Sequence, residues 1–321
     1  MLLATGALIL GFIALMWSAD QFVNGAAVTA RNLGMSPMLI GLTIISIGTS
    51  APEILVSFMA ATSGHGDLAI GNALGSNIAN IALVLGVTLL IAPIPVDERL
   101  IKKELPLLAA ITVASGLLIY DNYIGFAEGI AMIVALVITL MVFNYWQKHP
   151  KPEGLSSAGD EGEAEIPDIT QNKAIFLLLG GLGVLLASSK MLVWAASEIV
   201  RGLGVSELTI GLTVVAIGTS LPELAASVAS ALKKHHDMAI GNIIGSNIFN
   251  LLAVMAVPGI VSPMHIDPSA FARDYPIMTG LTLLLVFLTL ISKRPRILGR
   301  ASGALLLGCY IAYSLLILTQ P

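Results

Sequence analysis

The stretch GLTIISIGTSAPEILVSFMAATSGHGDLAIGNALGSNIAN, residues 41–80, returns as GLTVVAIGTSLPELAASVASALKKHHDMAIGNIIGSNIFN, residues 211–250. The offset is a constant 170 residues and 22 of the 40 positions are identical, Glu53 with Glu223 and Asn80 with Asn250 among them. Chance does not preserve acids, prolines and asparagines in step over such a distance. The chain is built on an internal duplication.

What the duplication means depends on the solvent. Hydrophobic residues are 56% of the chain and charged residues 11%, and long apolar runs recur along it. A run of 18 or more such residues crosses a hydrocarbon core of about 30 Å as a helix. The chain therefore reads as an all-α polytopic membrane protein with the lipid bilayer as its partner. A net charge of −4 says little, because in such a chain the placement of charges matters more than their sum. Nucleic acid is excluded as a partner, and no cofactor or obligate protein partner is expected. The one cysteine, Cys309, has no mate for an internal disulfide and reads as a small buried hydrophobe. The N-terminal MLLATGALILGFIALMW lacks a basic leader and a small-residue cleavage site, so a retained first span is expected.

Apolar segments bounded by Gly, Pro and charge give ten helices, near 2–31, 36–62, 67–92, 105–120, 124–146, 172–201, 206–232, 237–260, 273–292 and 299–319. The expected organisation is a five-helix repeat over 1–146, an acidic linker over 147–171 and a second five-helix repeat over 172–321. Two copies with an odd number of crossings insert in opposite directions, which gives inverted repeats. With the N-terminus outside, thirteen Lys and Arg fall in inner loops, against Arg201 and Arg273 outside and Lys190 within a span. The positive-inside rule then places both termini outside (periplasmic, for a cell inner membrane) and the 147–171 loop in the cytoplasm. That loop, rich in Pro, Gly, Ser and acids, is expected to be weakly ordered. It lacks the spaced ligands and turn glycine of an EF-hand and reads as a linker rather than a cation sensor.

Glu53 and Glu223 stand in segments otherwise free of charge. An ionised carboxylate at bilayer depth costs at least about 2.5 kcal/mol, so such a group faces a polar cavity and holds something positive. Lys190, the one base within a span, cannot neutralise both. Pro52 has no N–H for the carbonyl of Gly48, and Pro222 none for that of Gly218, so each helix must kink or unwind across Gly-Thr-Ser just before its acid. Broken helices at membrane depth persist where freed backbone groups find partners, and a freed carbonyl is a ready ligand for a hard cation. Thr49 and Ser50 lie four and three residues from Glu53, and Thr219 and Ser220 repeat this before Glu223, so their oxygens converge with the acids.

Downstream, Gly71/Gly75 and Gly241/Gly245 permit close helix approach. Helical spacing puts Ser76 and Asn80, and likewise Ser246 and Asn250, one turn apart on one face, as the second wall of a cavity. Two bidentate carboxylates with oxygens from Thr49 and Thr219 make about six donors, the lower bound for Ca²⁺. Mg²⁺ fits less well, and no His, Cys or Met cluster suits zinc or copper.

GTSxPE followed by GN(A/I)(L/I)GSNI(A/F)N, duplicated around an acidic loop, resembles the alpha repeats of the sodium/calcium exchanger family in the calcium/cation antiporter superfamily, as in a prokaryotic inner-membrane member. The resemblance implies five plus five inverted spans broken at the midplane, where Ca²⁺ and Na⁺ compete. It assigns Ca²⁺ to Glu53, Glu223 and the carbonyls of Thr49 and Thr219. One outer Na⁺ site would use Glu53, the carbonyl of Ala216, Thr219, Ser220 and Ser246. An inner site would use Glu223, the carbonyl of Ser46, Thr49, Ser50 and Ser76, with Asn80 and Asn250 flanking the centre. Some members carry Asp where this chain has Asn250, which leaves two carboxylates here rather than three.

Charge arithmetic points the same way. An empty site at −2 is costly to occlude, whereas one Ca²⁺ or two Na⁺ neutralise it, so only loaded forms cross and transport is antiport. A third Na⁺, implied by the family, would make the cycle electrogenic. The expected motion is a sliding of the first and sixth spans across a core of broken helices. The same carboxylates would serve a Ca²⁺/H⁺ (or other cation/H⁺) antiporter, and a channel would need an open path through the breaks. An intramembrane enzyme finds no HExxH or Ser/His arrangement. Asp20 and Lys190, 170 residues apart, either pair with each other or meet local partners. His65 and His235 are either pH gates or solvated loop residues.

Overall fold

The computed structural model describes residues 2–148, 166–203, 216–268, 270–292 and 296–319. Twelve helical segments carry the described chain: α1 Leu2–Asn32, α2 Pro37–Thr49, α3 Ala51–Thr62, α4 Gly66–Ile91, α5 Leu105–Leu118 and α6 Phe126–Lys148 come first. α7 Gln171–Gly202, α8 Ala216–Thr219, α9 Leu221–Leu232, α10 His236–Val261, α11 Ala270–Ile291 and α12 Arg300–Thr319 follow. The sequence 149–165, most of the expected linker, lies outside the described residues, as does the first part of the span expected over 206–232.

Seven described helices are long and apolar enough to cross a membrane, and α2 with α3 makes an eighth when the bent pair counts as one span. The helix expected over 105–120 is the 14-residue α5, extended backward by a π-helical turn at Leu100–Glu104. Large apolar side chains such as Leu10, Phe12, Trp17, Phe176 and Leu315 stand exposed, which in lipid is their ordinary environment.

α4 and α10 form the centre, buried over 72% and 83% of their apolar stretches, against 28% for α1 and 33% for α7. Lipid tails are as apolar as Leu, so packing between spans rests on close fit rather than on water exclusion. The fit is tightest at small residues. A Cβ on Gly241 would stand 2.8 Å from the Met38 carbonyl oxygen and one on Gly245 2.6 Å from that of Leu42, so α10 lies backbone to backbone against α2. The corresponding Gly71 and Gly75 have nothing within 4 Å among the described residues; the segment beginning at Gly211 that would match α2 there is not described.

α1 and α7 pair along their lengths at the margin. Gly25 and Gly181 allow this approach: a Cβ on either would come within 2.7 Å of partner backbone atoms, the Ala174 oxygen and the Phe22 nitrogen. Leu15, Ala19, Phe22, Ala26, Leu178 and Leu185 join Ile40 and Ile45 of α2 and Ala225, Ala226 and Ala229 of α9 in a second apolar cluster, beside the large one around α4 and α10.

Two short antiparallel ladders join the halves. β1 (Ile94–Pro95) pairs with β4 (Ile297–Leu298), and β2 (Tyr123–Ile124) with β3 (Met264–His265). β1 and β3 are separated by the 170-residue offset, so each copy's strand after its central helix pairs with a strand of the other copy.

Candidate functional site

The bend between α2 and α3 is 44° and falls at Ser50, whose φ of −85° and ψ of 4° leave the helix. Ser220 repeats it at −87° and 3°. Pro52 and Pro222 sit in the first turn of the helix that restarts, where a missing N–H costs nothing. Glu53 and Glu223 therefore occupy the first turns of α3 and α9, where the helix N-terminus favours a carboxylate. The two breaks differ in one detail. The Ser50 amide keeps an α-helical bond to the Ser46 carbonyl at 2.9 Å, whereas the Ser220 amide turns to Ile217 at 3.1 Å.

Both acids are 1% exposed, and Glu223 lies close enough for its charge to act on Glu53. Thr49, Ser50, Ser46, Ser220, Ser76, Ser246, Asn80 and Asn250 are all buried, Thr219 is partly so, and Ala216 opens α8 with its backbone. Ser50 Oγ donates to Glu223 Oε1 at 3.0 Å, joining the break of one copy to the acid of the other. Ser46 Oγ turns instead to the Thr43 carbonyl at 3.2 Å. No direct hydrogen bond links Ser76, Ser246, Asn80 or Asn250 to either carboxylate among the described residues.

On the second wall, the helix widens to π-geometry at Asn80–Leu85 and again at Asn250–Val254. Each wide turn starts on the asparagine expected at the centre. Single π-turns inside α-helices collect at functional positions because they redirect side chains and relax the backbone bonding ladder. Nothing in the residue types announces this geometry.

Buried polar atoms without a hydrogen-bond partner collect here. They include both oxygens of Glu53, Oε2 of Glu223, Oγ of Ser220 and of Ser246, and both amide atoms of Asn80 and of Asn250. Native interiors satisfy most such atoms, and an unsatisfied one costs about 1–3 kcal/mol. They belong to the two acids and to the residues expected beside them, and oxygen donors of this kind are the type that hard cations take.

Asn242, not singled out by sequence reasoning, joins this network. Its Nδ2 donates to Ser227 Oγ at 2.9 Å and to the Glu223 carbonyl at 3.4 Å, and its Oδ1 shares the Thr49 hydroxyl proton with the Ile45 carbonyl, each 3.2 Å from Thr49 Oγ1. The available signal was its place in the duplicated Gly-Asn, matched by Asn72.

Two open readings narrow. Asp20 does not pair with Lys190: its carboxylate takes Lys233, with Gln21 and Asn24 alongside, because α1 packs against α9. His235 is not a solvated loop residue. It is 5% exposed at the start of α10, and burial first, then Lys233 and His236, lower its pKa; His65 is exposed.

The sodium/calcium exchanger protein family matches residues 3–145 and 173–319. A putative antiporter, CaxA, from Alkalimonas amylolytica is 47% identical over the whole of both chains. The sodium/calcium exchanger MaX1 of Methanosarcina acetivorans is 28% identical, covering 95% of this chain and 96% of its own. A solved structure of the sodium-calcium exchanger NCX_Mj superimposes with a TM-score of 0.79 at 31% identity, covering 97% of each chain. The chain belongs to the sodium/calcium exchanger family and is a membrane cation antiporter, not an enzyme.

Proposed function

We propose that the protein exchanges Ca²⁺ for Na⁺ by alternating access, at a shared site built on Glu53 and Glu223. The observation that carries this reading is the set of unpartnered buried oxygens around two acids of opposite repeats. Glu53, Glu223 and the carbonyls of Thr49 and Thr219 hold Ca²⁺. Glu53, the Ala216 carbonyl, Thr219, Ser220 and Ser246 hold one Na⁺, and Glu223, the Ser46 carbonyl, Thr49, Ser50 and Ser76 another, with Asn80 and Asn250 beside the centre. Ca²⁺ and Na⁺ exclude one another because both need the same carboxylates.

The arrangement in the membrane is ten crossings in two inverted five-helix repeats, 1–146 and 172–321, with both termini outside and the 147–171 linker inside. The reciprocal ladders, β1 with β4 and β2 with β3, support it: exchanging the two copies exchanges the ladders. The lysines and arginines of the short loops support the sidedness. An unloaded site at −2 resists occlusion, so the return stroke needs a counter-ion.

The deciding experiment is ⁴⁵Ca²⁺ flux in proteoliposomes against imposed Na⁺, K⁺ and H⁺ gradients. Flux that follows Na⁺ supports the proposal. Flux that follows pH and ignores Na⁺ assigns the same carboxylates to Ca²⁺/H⁺ exchange, and uptake without a trans cation overturns antiport.

A further inference from the structure

Asn242 is fully buried in α10 and touches both halves of the site at once. Its Oδ1 lies 3.2 Å from Thr49 Oγ1 in the last turn before one break, and its Nδ2 reaches the backbone carbonyl of Glu223 in the first turn after the other. Ser227 Oγ, one turn beyond Glu223, takes the shorter bond of 2.9 Å. A carboxamide suits this place. It offers an acceptor to a hydroxyl and two donors to a carbonyl and a second hydroxyl, with no charge added beside the acids.

The amide nitrogen of the other copy's asparagine is placed differently among the described residues. Asn72 leaves Nδ2 without a partner, and Ser57, which corresponds to Ser227, donates to the Val254 carbonyl at 2.8 Å. Glu53 likewise receives no serine, whereas Glu223 receives Ser50. Around Glu223 the two repeats are joined through Asn242 and Ser50; beside Glu53 they meet through Ser57 and the Val254 carbonyl instead.

We infer that Asn242 is a positioning residue for ion binding, holding the Thr49 turn and the Glu223 turn at one fixed separation so that their oxygens face the same ion. The inference rests on the proposed role of Glu223 as a ligand. Without the amide, the Ser50 to Glu223 bond still spans the two turns but holds them less firmly, and more of the ordering must be supplied on binding. Affinity should fall more than turnover.

The test is Na⁺-dependent ⁴⁵Ca²⁺ exchange in proteoliposomes with kcat and KM for Ca²⁺ resolved, for wild type, Asn242→Ala, Ser227→Ala and the double variant. The expected result is a rise in KM of about tenfold for Asn242→Ala with kcat within about twofold, a smaller rise for Ser227→Ala, and no further rise in the double variant. Unshifted KM in both single variants, or additive effects, overturns the inference. Should Asn242→Ala not fold, Ser227→Ala decides alone, since it deletes only the hydroxyl and leaves the packing volume nearly unchanged: a raised KM supports the joint and an unchanged one overturns it. Wild-type protein that shows no Na⁺-dependent exchange overturns the functional reading itself, and is thereby distinguished from failure of this inference.

Discussion

Lys233 Nζ lies 2.6 Å from Asp20 Oδ1, tying the end of α9 to the middle of α1. The pair has no copy in the other half, because the positions 170 residues away are Ser63 and Lys190. Both side chains remain partly exposed, so the pair contributes about 1 kcal/mol or less. Asp20→Lys alone and Lys233→Asp alone should each lower the melting temperature in detergent by a few degrees, and the double reversal should recover it. Recovery by reversing Asp20 with Lys190 instead would show that the observed partner is wrong.

Glu53→Gln and Glu223→Gln should each reduce Na⁺-dependent ⁴⁵Ca²⁺ exchange to background while the protein still inserts and elutes as a single species. Each change removes one of the two charges that balance Ca²⁺. Ser50→Ala is expected to be milder: it strips the hydroxyl from Glu223 Oε1, a loss worth about 1–3 kcal/mol, or roughly 5–150-fold in Ca²⁺ affinity. Robust exchange by either Gln variant would remove the acids from the mechanism.

His235 gives a pH signature of stability. Its folded pKa lies below the value near 6.5 expected in an unfolded chain, because burial disfavours the charged ring. The neutral ring therefore contributes stability that is complete above pH of about 6.5 and is lost as pH falls from there through the folded value. Melting temperature should drop more steeply between neutral and mildly acid pH in wild type than in His235→Gln.

Periodicity, proline and duplication made much of the helix layout legible. Pro52 and Pro222 fixed the breaks because a proline removes a specific donor wherever it stands, and the backbone leaves the helix at Ser50 and Ser220 as that rule requires. Other features escaped for definite reasons. A repeat read from sequence is symmetric, while a single conformer is not: Ser50 bonds Glu223, but Ser220 does not return the bond to Glu53. Partners across helices, such as Lys233 for Asp20, depend on which faces meet, and the 170-residue offset pointed to Lys190 instead. The π-turns at Asn80 and Asn250 are a change in which backbone carbonyl each N–H reaches, and no residue type in the motif announces it.

The α1 and α7 pair lies at the margin and meets the core through one apolar cluster with Ile40, Ile45, Ala225, Ala226 and Ala229, and Asp20 with Lys233 marks where it meets α9. If loaded protein crosses between states by sliding this pair over the core, tethering it should leave ions bound but unable to exchange. In a Cys309→Ala background, Asp20→Cys and Lys233→Cys joined by a short cleavable bifunctional maleimide should keep Ca²⁺ binding within about threefold of the untethered protein, since the tether holds one state without touching Glu53 or Glu223. Exchange should stop on tethering and return on cleavage. Flux that persists undiminished through the tether would rule out sliding of α1 against α9 and leave motion within the broken helices as the route between faces.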